Sequence, residues 1–134
     1  MALWTLHGDG TLKPGAVVAL SACSNVTGIT CDVAALTAQV HAAGAQIVWD
    51  YAGGAPYLPI DLSLRVEAVV LSPHKFVGGP GASGLLVIRR NAVRADRPTL
   101  PGGGTVRFVS PWGHDYADGI ATREEAGTPN VVGD

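Results

Sequence analysis

The chain has 134 residues, of which 47% are hydrophobic and 15% are charged, and its formal net charge is −2. This length favours one domain with a real core and is too short for two. The charge balance provides no basic surface for nucleic acid or for an anionic membrane. Cys23 and Cys31 lie eight residues apart without a second pair, so neither a zinc site nor a disulfide framework is indicated, and a reduced, cytoplasmic location fits best.

The N-terminal segment and the apolar runs give no sign of secretion or membrane insertion. MALWTLHGDG lacks a basic stretch followed by an apolar one, so no signal peptide is expected. The longest apolar run, residues 16–22, is broken by Ser21 and is too short to span a bilayer. Because the charged fraction is low, we expect neighbouring surfaces from other parts of the chain or from a second subunit.

The first predicted elements are a strand and a helix. AVVALSACS predicts a buried strand, because an apolar run ends there in small polar residues. Asp32 can cap the helix that follows, and Gly44 can end it. The apolar residues that keep helical spacing between them are Val33, Leu36, Val40 and Ala43.

Three later apolar runs, AQIVWD, EAVVLS and GLLVIRR, predict further strands. Strands that alternate with helical segments form βαβ units, so we expect an α/β fold with a mostly parallel sheet flanked by helices. From about residue 91 onward, prolines and glycines interrupt the pattern. Loops without a long helix are therefore predicted there.

Polar residues follow each of the first three predicted strands. Because ligands collect at the carboxyl ends of parallel strands, these residues together suggest a site for a polar small molecule. Any one of them alone would more commonly cap a helix or a turn. The residues are Ser24, Asn25, Asp50, Ser72, His74 and Lys75.

Lys75 is one of only two lysines, the other being Lys13, and it lies between a predicted buried strand and a glycine-rich loop. An amine partly removed from water at that place would favour the neutral nucleophile that Schiff-base formation needs. The alternative is an ordinary surface lysine at the mouth of a loop.

The glycine-rich loop contains Gly79, Gly81 and Gly84, which satisfy the G-x-G-x-x-G pattern of dinucleotide-binding turns. In such turns the glycines open a helix that receives the pyrophosphate, whereas here they precede the strand-like run LLVIRR. We expect instead that they let the backbone pass close to a neighbour. A dinucleotide-binding domain remains the weaker alternative.

Five segments in order, SNVTG, VWDYAG, SPHKFVGGPGASG, GGGTV and REEAGTPN, resemble the large domain of class V aminotransferases. These are fold-type I enzymes that depend on pyridoxal 5'-phosphate, and they include cysteine desulfurases and selenocysteine lyases. The resemblance runs from about residue 4 to residue 134. It implies that the predicted sheet is part of a cofactor-binding large domain.

The resemblance also implies roles for residues at the strand ends. Lys75 resembles the lysine that forms a Schiff base with the cofactor and then shuttles a proton, so it is the implied catalytic residue. Asp50 resembles the carboxylate that pairs with the pyridine nitrogen and keeps the ring protonated. Ala52 would pack its methyl group on the ring face, and Asn25 would lie near the phenolic oxygen.

Other residues resemble ligands of the cofactor phosphate. Ser72 and His74 would donate hydrogen bonds to the phosphate that belongs to the same subunit. In dimeric members of the family, the GGG segment and the threonine of AGTPN reach the phosphate of the partner's cofactor. Here these would be Gly104 or Thr105, together with Thr128.

The chain departs from the family pattern in two respects. Many desulfurases have a glutamine where this chain has Gly53, so one hydrogen bond to the phenolic oxygen would be lost. The family's enzymes are also about three times as long. Residues 1–134 would therefore form a partial large domain, without its N-terminal part and without the C-terminal small domain, of a homodimeric enzyme with an amino-acid substrate. Desulfurase, lyase and transaminase chemistry stay open, and so does a catalytically incomplete fragment that serves as a structural or subunit piece.

Overall fold

The computed structural model describes residues 11–134, which divide into two compact units. The first contains residues 11–89 with 133–134, and the second is Arg90–Val132. The expectation of an absent signal peptide concerns residues 1–10, which lie outside the described residues. It therefore stays a prediction.

The first unit is a four-stranded sheet with one α-helix. Its elements in chain order are β1 (Val17–Ser21), α1 (Val33–Ala42), β2 (Gln46–Asp50), β3 (Ala68–Leu71) and β4 (Leu85–Ile88). The strands lie in the order β1-β2-β3-β4, with β1, β2 and β3 parallel and β4 antiparallel to β3. The predicted α/β fold with a mostly parallel sheet is thus confirmed.

Helix α1 begins and ends where the sequence predicts. The Asp32 carboxylate accepts a hydrogen bond from the Ala35 backbone N–H at 2.9 Å, which satisfies one of the unpaired donors of the first turn. At the other end, the Gly44 N–H donates to the His41 carbonyl at 2.9 Å. Val40 is buried against the sheet, so the predicted apolar face of the helix is the one that packs.

The core lies between α1 and the first three strands. Its fully buried side chains include Val18, Ile47 and Trp49. The Trp49 indole N–H donates to the Thr37 hydroxyl at 2.9 Å, so the one polar atom of this large side chain is paired inside the core. Helix and sheet are therefore joined by a directional contact as well as by apolar packing.

The connection from β2 to β3 differs from the expected helical crossover. Within the described residues it contains turns and a short 3-10 helix, Leu62–Leu64, but no α-helix. Arg89 holds this segment, because its guanidinium donates to the Val66 carbonyl at 2.8 Å and to the Leu62 carbonyl at 2.6 Å. Pro56 and Pro59 explain the absence of a helix, since proline interrupts helical hydrogen bonding.

The last strand of the sheet, β4, runs opposite to the others. A strand parallel to β3 would need a long connection, usually a helix, to return the chain to the other edge of the sheet. Residues 72–84 form only a short 3-10 helix and glycine turns, so β4 starts at the edge where β3 ends and runs antiparallel to it. All four side chains of β4 are apolar and exposed, with exposed fractions from 38% for Val87 to 56% for Leu86.

The second unit contains a hairpin and a short helix. The hairpin pairs β5 (Val106–Ser110) with antiparallel β6 (Gly113–Tyr116), and α2 (Ile120–Glu124) has five residues. The expectation of no long helix here is confirmed, but the hairpin was not predicted. Its strands are mostly exposed, so no alternating apolar pattern marks them.

Among residues 11–134, none of the helices combines the length and the apolar character that crossing a membrane requires. In the same part of the chain, histidine, cysteine and carboxylate side chains form no group of three that could hold a metal ion.

The buried contact between Thr37 and Trp49 predicts a stability effect. In Thr37→Val the side-chain shape is kept but the indole N–H loses its acceptor, so the free energy of unfolding should fall by about 1–3 kcal/mol. Urea denaturation followed by tryptophan fluorescence measures this. Thr37→Ser keeps the hydroxyl and should lose less stability than the valine variant; equal losses in the two variants would contradict a role for the hydrogen bond.

Candidate active site

The candidate site lies at the carboxyl edge of the parallel strands, and Asp50 is at its centre. In the register of the sheet, Asp50 pairs with Ser21 of β1 on one side and with Val70 of β3 on the other. The loops that leave β1 and β3 therefore start at the same edge as Asp50. The predicted meeting of the three strand ends is thus present in the first unit.

Both oxygens of the Asp50 carboxylate are held. Oδ1 accepts a hydrogen bond from the Ala52 backbone N–H at 2.7 Å, and Oδ2 accepts a longer one from the Ser21 hydroxyl at 3.4 Å. These hydrogen bonds fix the orientation of the carboxylate. Because the residue is only half-buried, a ligand can still reach it at the edge of the sheet. Ser21 was missed in the sequence; only the strand register, which puts it beside Asp50, reveals it.

Asn25 lies against the turn that follows Asp50. A methyl group built on Gly53 would be 3.4 Å from the Asn25 Cβ, which is ordinary contact. The loop that carries Asn25 is ordered by the Ser24 hydroxyl, which accepts hydrogen bonds from the Val26 N–H at 3.3 Å and the Thr27 N–H at 3.2 Å. Within the described residues the Asn25 amide has no hydrogen-bond partner, so it is available to a ligand.

The turn after β3 carries Ser72, His74 and Lys75. Pro73–Lys75 is a single turn of 3-10 helix, and the Lys75 N–H donates to the Ser72 carbonyl at 3.0 Å. The Ser72 side chain makes no capping hydrogen bond. Lys75 and His74 are exposed, so the expected partial removal of the Lys75 amine from water is wrong for this chain.

The glycine-rich loop needs glycine at position 79 because there is no space for a side chain there. A methyl group at this position would overlap the Pro73 carbonyl oxygen and would lie 2.9 Å from its carbon. The loop therefore passes directly against the backbone of the turn that carries Lys75, and the expected close passage is confirmed. Strand β4 follows the glycines, so the helix that a dinucleotide-binding turn requires is not formed.

The second unit carries Gly104, Thr105 and Thr128. Gly104 has φ +83°, in the left-handed region that favours glycine. Thr105 is fully buried, whereas Thr128 is exposed. The Gly127 N–H donates to the Gly103 carbonyl at 2.8 Å, so the glycine segment and the AGTPN segment lie side by side within this unit.

Tyr51 belongs to the buried core although it is the neighbour of Asp50 in the chain. Burial raises the pKa of the Tyr51 phenol above its ordinary value, and the nearby Asp61 carboxylate raises it further. The Tyr51 phenol is therefore neutral at physiological pH.

Comparisons with known proteins show the family to which the chain belongs. The sequence model for "Aminotransferase class-V" matches residues 11–133. A probable cysteine desulfurase of Aeropyrum pernix is 34% identical over 96% of this chain and 32% of its own length. The cysteine desulfurase CsdA of Escherichia coli is 37% identical over 87% of this chain and 29% of its own.

Solved structures show the same fold. A crystal structure of E. coli CsdA covers 88% of this chain with a TM-score of 0.77 and 36% identity, using 29% of its own chain. The apo structure of a cysteine desulfurase from Thermococcus onnurineus NA1 covers 92% with a TM-score of 0.78 and 33% identity, using 30% of its own. The chain spans about a third of the length of its relatives, from 28% to 35%.

The close approach of Gly79 predicts that this position tolerates no side chain. Gly79→Ala places a methyl group against backbone, which cannot move aside cheaply, so the free energy of unfolding should fall by about 1–3 kcal/mol. Chemical denaturation checks the value. Gly84→Ala is the matched control, because its added methyl group would meet only the Leu71 carbonyl oxygen at 3.9 Å; a loss as large as that of Gly79→Ala would refute the explanation.

Proposed function

We propose, from the premise that this chain belongs to the aminotransferase class-V family, that it is the cofactor-binding part of a pyridoxal 5'-phosphate enzyme. The enzyme acts on an amino-acid substrate through Lys75. One observation carries the proposal: a carboxylate, Asp50, is held by two hydrogen bonds at the edge where the Lys75 turn begins.

The residues at this edge fit the chemical groups of the cofactor. A fixed carboxylate is the natural partner of a protonated pyridine nitrogen, and Asp50 provides one. A phosphate monoester needs hydrogen-bond donors, and the Ser72 hydroxyl and the His74 ring have no partner within the described residues. Lys75 supplies an exposed primary amine for an aldehyde. The chain thus offers a matching group for each end of the molecule.

Each of these residues has one task in the proposal. Lys75 would hold the cofactor through its amine, and after the substrate amine has displaced it, the free Nζ would accept the substrate's α-proton. When bound, pyridoxal phosphate supplies an electron sink for the carbon that loses the proton. Asp50 would keep the ring nitrogen protonated, Ala52 would pack against the ring face, and Asn25 would lie near the phenolic oxygen.

The second unit would serve a partner subunit. Gly104 or Thr105, together with Thr128, would contribute to the phosphate site of a second copy, so the complete enzyme would be a homodimer. The closeness of the glycine segment to Gly127 supports this, because it makes the two segments one surface.

Among amino-acid substrates we favour cysteine. The similar proteins named above are described as cysteine desulfurases, and they are 34% and 37% identical to this chain. Lyase and transaminase chemistry would use the same cofactor half. The competing interpretation is a catalytically incomplete chain that acts as a structural or subunit piece.

Covalent trapping tests the role of Lys75. Pyridoxal phosphate added to the purified chain and reduced with borohydride should leave a stable adduct on Lys75, which peptide mass spectrometry locates. Lys75→Ala should lose the adduct, and Lys13→Ala should keep it, because these are the chain's two lysines. A folded chain without label on Lys75, or with equal label on Lys13, would favour the structural interpretation.

Substitution of Asp50 tests the other end of the site. Asp50→Asn removes the charge and keeps the shape, so the dissociation constant for pyridoxal phosphate, measured by absorbance titration, should rise about 10- to 100-fold. Asp61→Asn removes an equal charge from an exposed position of the same unit and is the matched control. Unchanged binding by Asp50→Asn would contradict the assignment of the carboxylate.

A further inference from the structure

The turns at and after Lys75 form one continuous series. The 3-10 turn that carries this residue is closed by the Phe76 N–H, which donates to the Pro73 carbonyl at 2.9 Å. The Gly79 N–H then donates to the Phe76 carbonyl at 3.0 Å, and the Ala82 N–H donates to the Gly79 carbonyl at 2.9 Å. Each hydrogen bond starts at the residue where the preceding one ends, so a displacement at Ala82 is passed back to the turn of Lys75.

This series is rich in glycine and therefore needs a contact from elsewhere in the chain. Gly78 and Gly81 have φ values of +82° and +88°, in the left-handed region that favours glycine. Glycine loses more conformational freedom on ordering than any other residue, so such turns are costly to keep formed. The Val77 side chain is fully exposed and adds no packing. Local hydrogen bonds alone are thus a weak hold on residues 77–84.

Asp134 provides a contact of this kind at the end of the series. Its Oδ1 accepts a hydrogen bond from the Ser83 N–H at 2.7 Å, and its Oδ2 accepts one from the Ser83 hydroxyl at 3.0 Å. One carboxylate therefore fixes the backbone and the side chain of a single residue, and its charge strengthens both hydrogen bonds. The two residues lie 51 positions apart in the sequence, and both belong to the first unit. The contact is thus tertiary and not part of the local turns.

The loop also touches the turn of Lys75 directly. A methyl group on Gly79 would overlap the Pro73 carbonyl oxygen, so the two backbones lie against each other. We propose that Asp134 is a positioning residue for Lys75. Its carboxylate anchors Ser83, and the loop held in this way keeps the exposed turn that presents the amine in one arrangement.

The inference rests on the proposed function for the use of the amine, whereas the anchoring is a property of the chain without a ligand. An amine on a loosened turn occupies its reactive position for a smaller fraction of the time. The apparent dissociation constant rises by the inverse of that fraction, although no contact with the ligand changes. Because Ser83 and Asp134 are exposed, water can replace their hydrogen bonds, so the fold should survive a substitution.

The 15N relaxation of the chain without a ligand tests the anchor. In Asp134→Ala the backbone order parameters of Phe76, Gly79 and Ala82 should fall from about 0.85 to below about 0.6, while those of β1 and β2 should not change. Asp134→Asn is the matched control, because it keeps an oxygen for the Ser83 N–H and its amide can donate to the hydroxyl; its loop should stay ordered. An ordered loop in Asp134→Ala, or a loss of order throughout the first unit, would overturn the inference.

Borohydride trapping then tests what the anchor does for the amine. Half-maximal label on Lys75 should need about threefold to tenfold more pyridoxal phosphate in Asp134→Ala than in the unchanged chain, while label on Lys13 should not change. Asp134→Asn should match the unchanged chain. Equal label on Lys75 in all three chains would overturn the inference and leave the proposed function intact. Absence of label on Lys75 in the unchanged chain would instead reject the proposed function, and the relaxation measurement would still decide whether Asp134 orders the turn.

Discussion

The parallel pairing of β2 with strands on both sides determines what the first unit can present to a ligand. Because Asp50 pairs with Ser21 and with Val70, the loops after β1 and β3 leave the sheet beside it. If β1 or β3 ran the other way, its opposite end would lie beside Asp50. Asn25 or the Lys75 turn would then lie at the far edge, and no cofactor of ordinary size could touch both.

The same strand that presents Asp50 also anchors it. Side chains alternate along a strand, so Trp49 enters the core while Asp50 lies at the edge. The hydrogen bond from Trp49 to Thr37 joins β2 to α1, and Ala52 and Ser21 hold the carboxylate. Because packed neighbours already fix the orientation of this carboxylate, little conformational entropy is lost when a ligand binds to it. This is the advantage of a site at the end of a strand.

The sequence predicted those parts of the fold that depend on local patterns. Apolar strands and the cap at Asp32 leave clear signals in the chain, and these elements were confirmed, although only Val18 of the first strand is fully buried. The direction of β4 and the hairpin of the second unit were missed, because a turn such as Pro73–Lys75 can lead to either strand direction and exposed strands carry no apolar alternation. The exposure of Lys75 depends on which segments cover its turn, which local residues do not reveal.

The candidate site was predicted unevenly for a related reason. Strand ends alone pointed to Asp50 and Lys75, while the family resemblance was needed for Gly104, Thr105 and Thr128. The sequence could not distinguish Gly104 from Thr105 as the candidate phosphate ligand, since a hydroxyl and a backbone N–H can both bind phosphate. Burial and hydrogen-bond partners distinguish them, and these depend on contacts that no short motif encodes.

The two glycine-rich segments of the chain require glycine for two different physical reasons. At Gly79 the requirement is space, because the backbone of Pro73 occupies the place of a side chain. At Gly104 a methyl group would meet its nearest neighbours, two backbone oxygens, only at 3.9 and 4.0 Å, so there is room for it. The requirement for glycine there is the left-handed backbone. The G-x-G-x-x-G pattern that first attracts notice is therefore explained by close backbone packing at Gly79, whereas the second segment is explained by the backbone conformation of its turn.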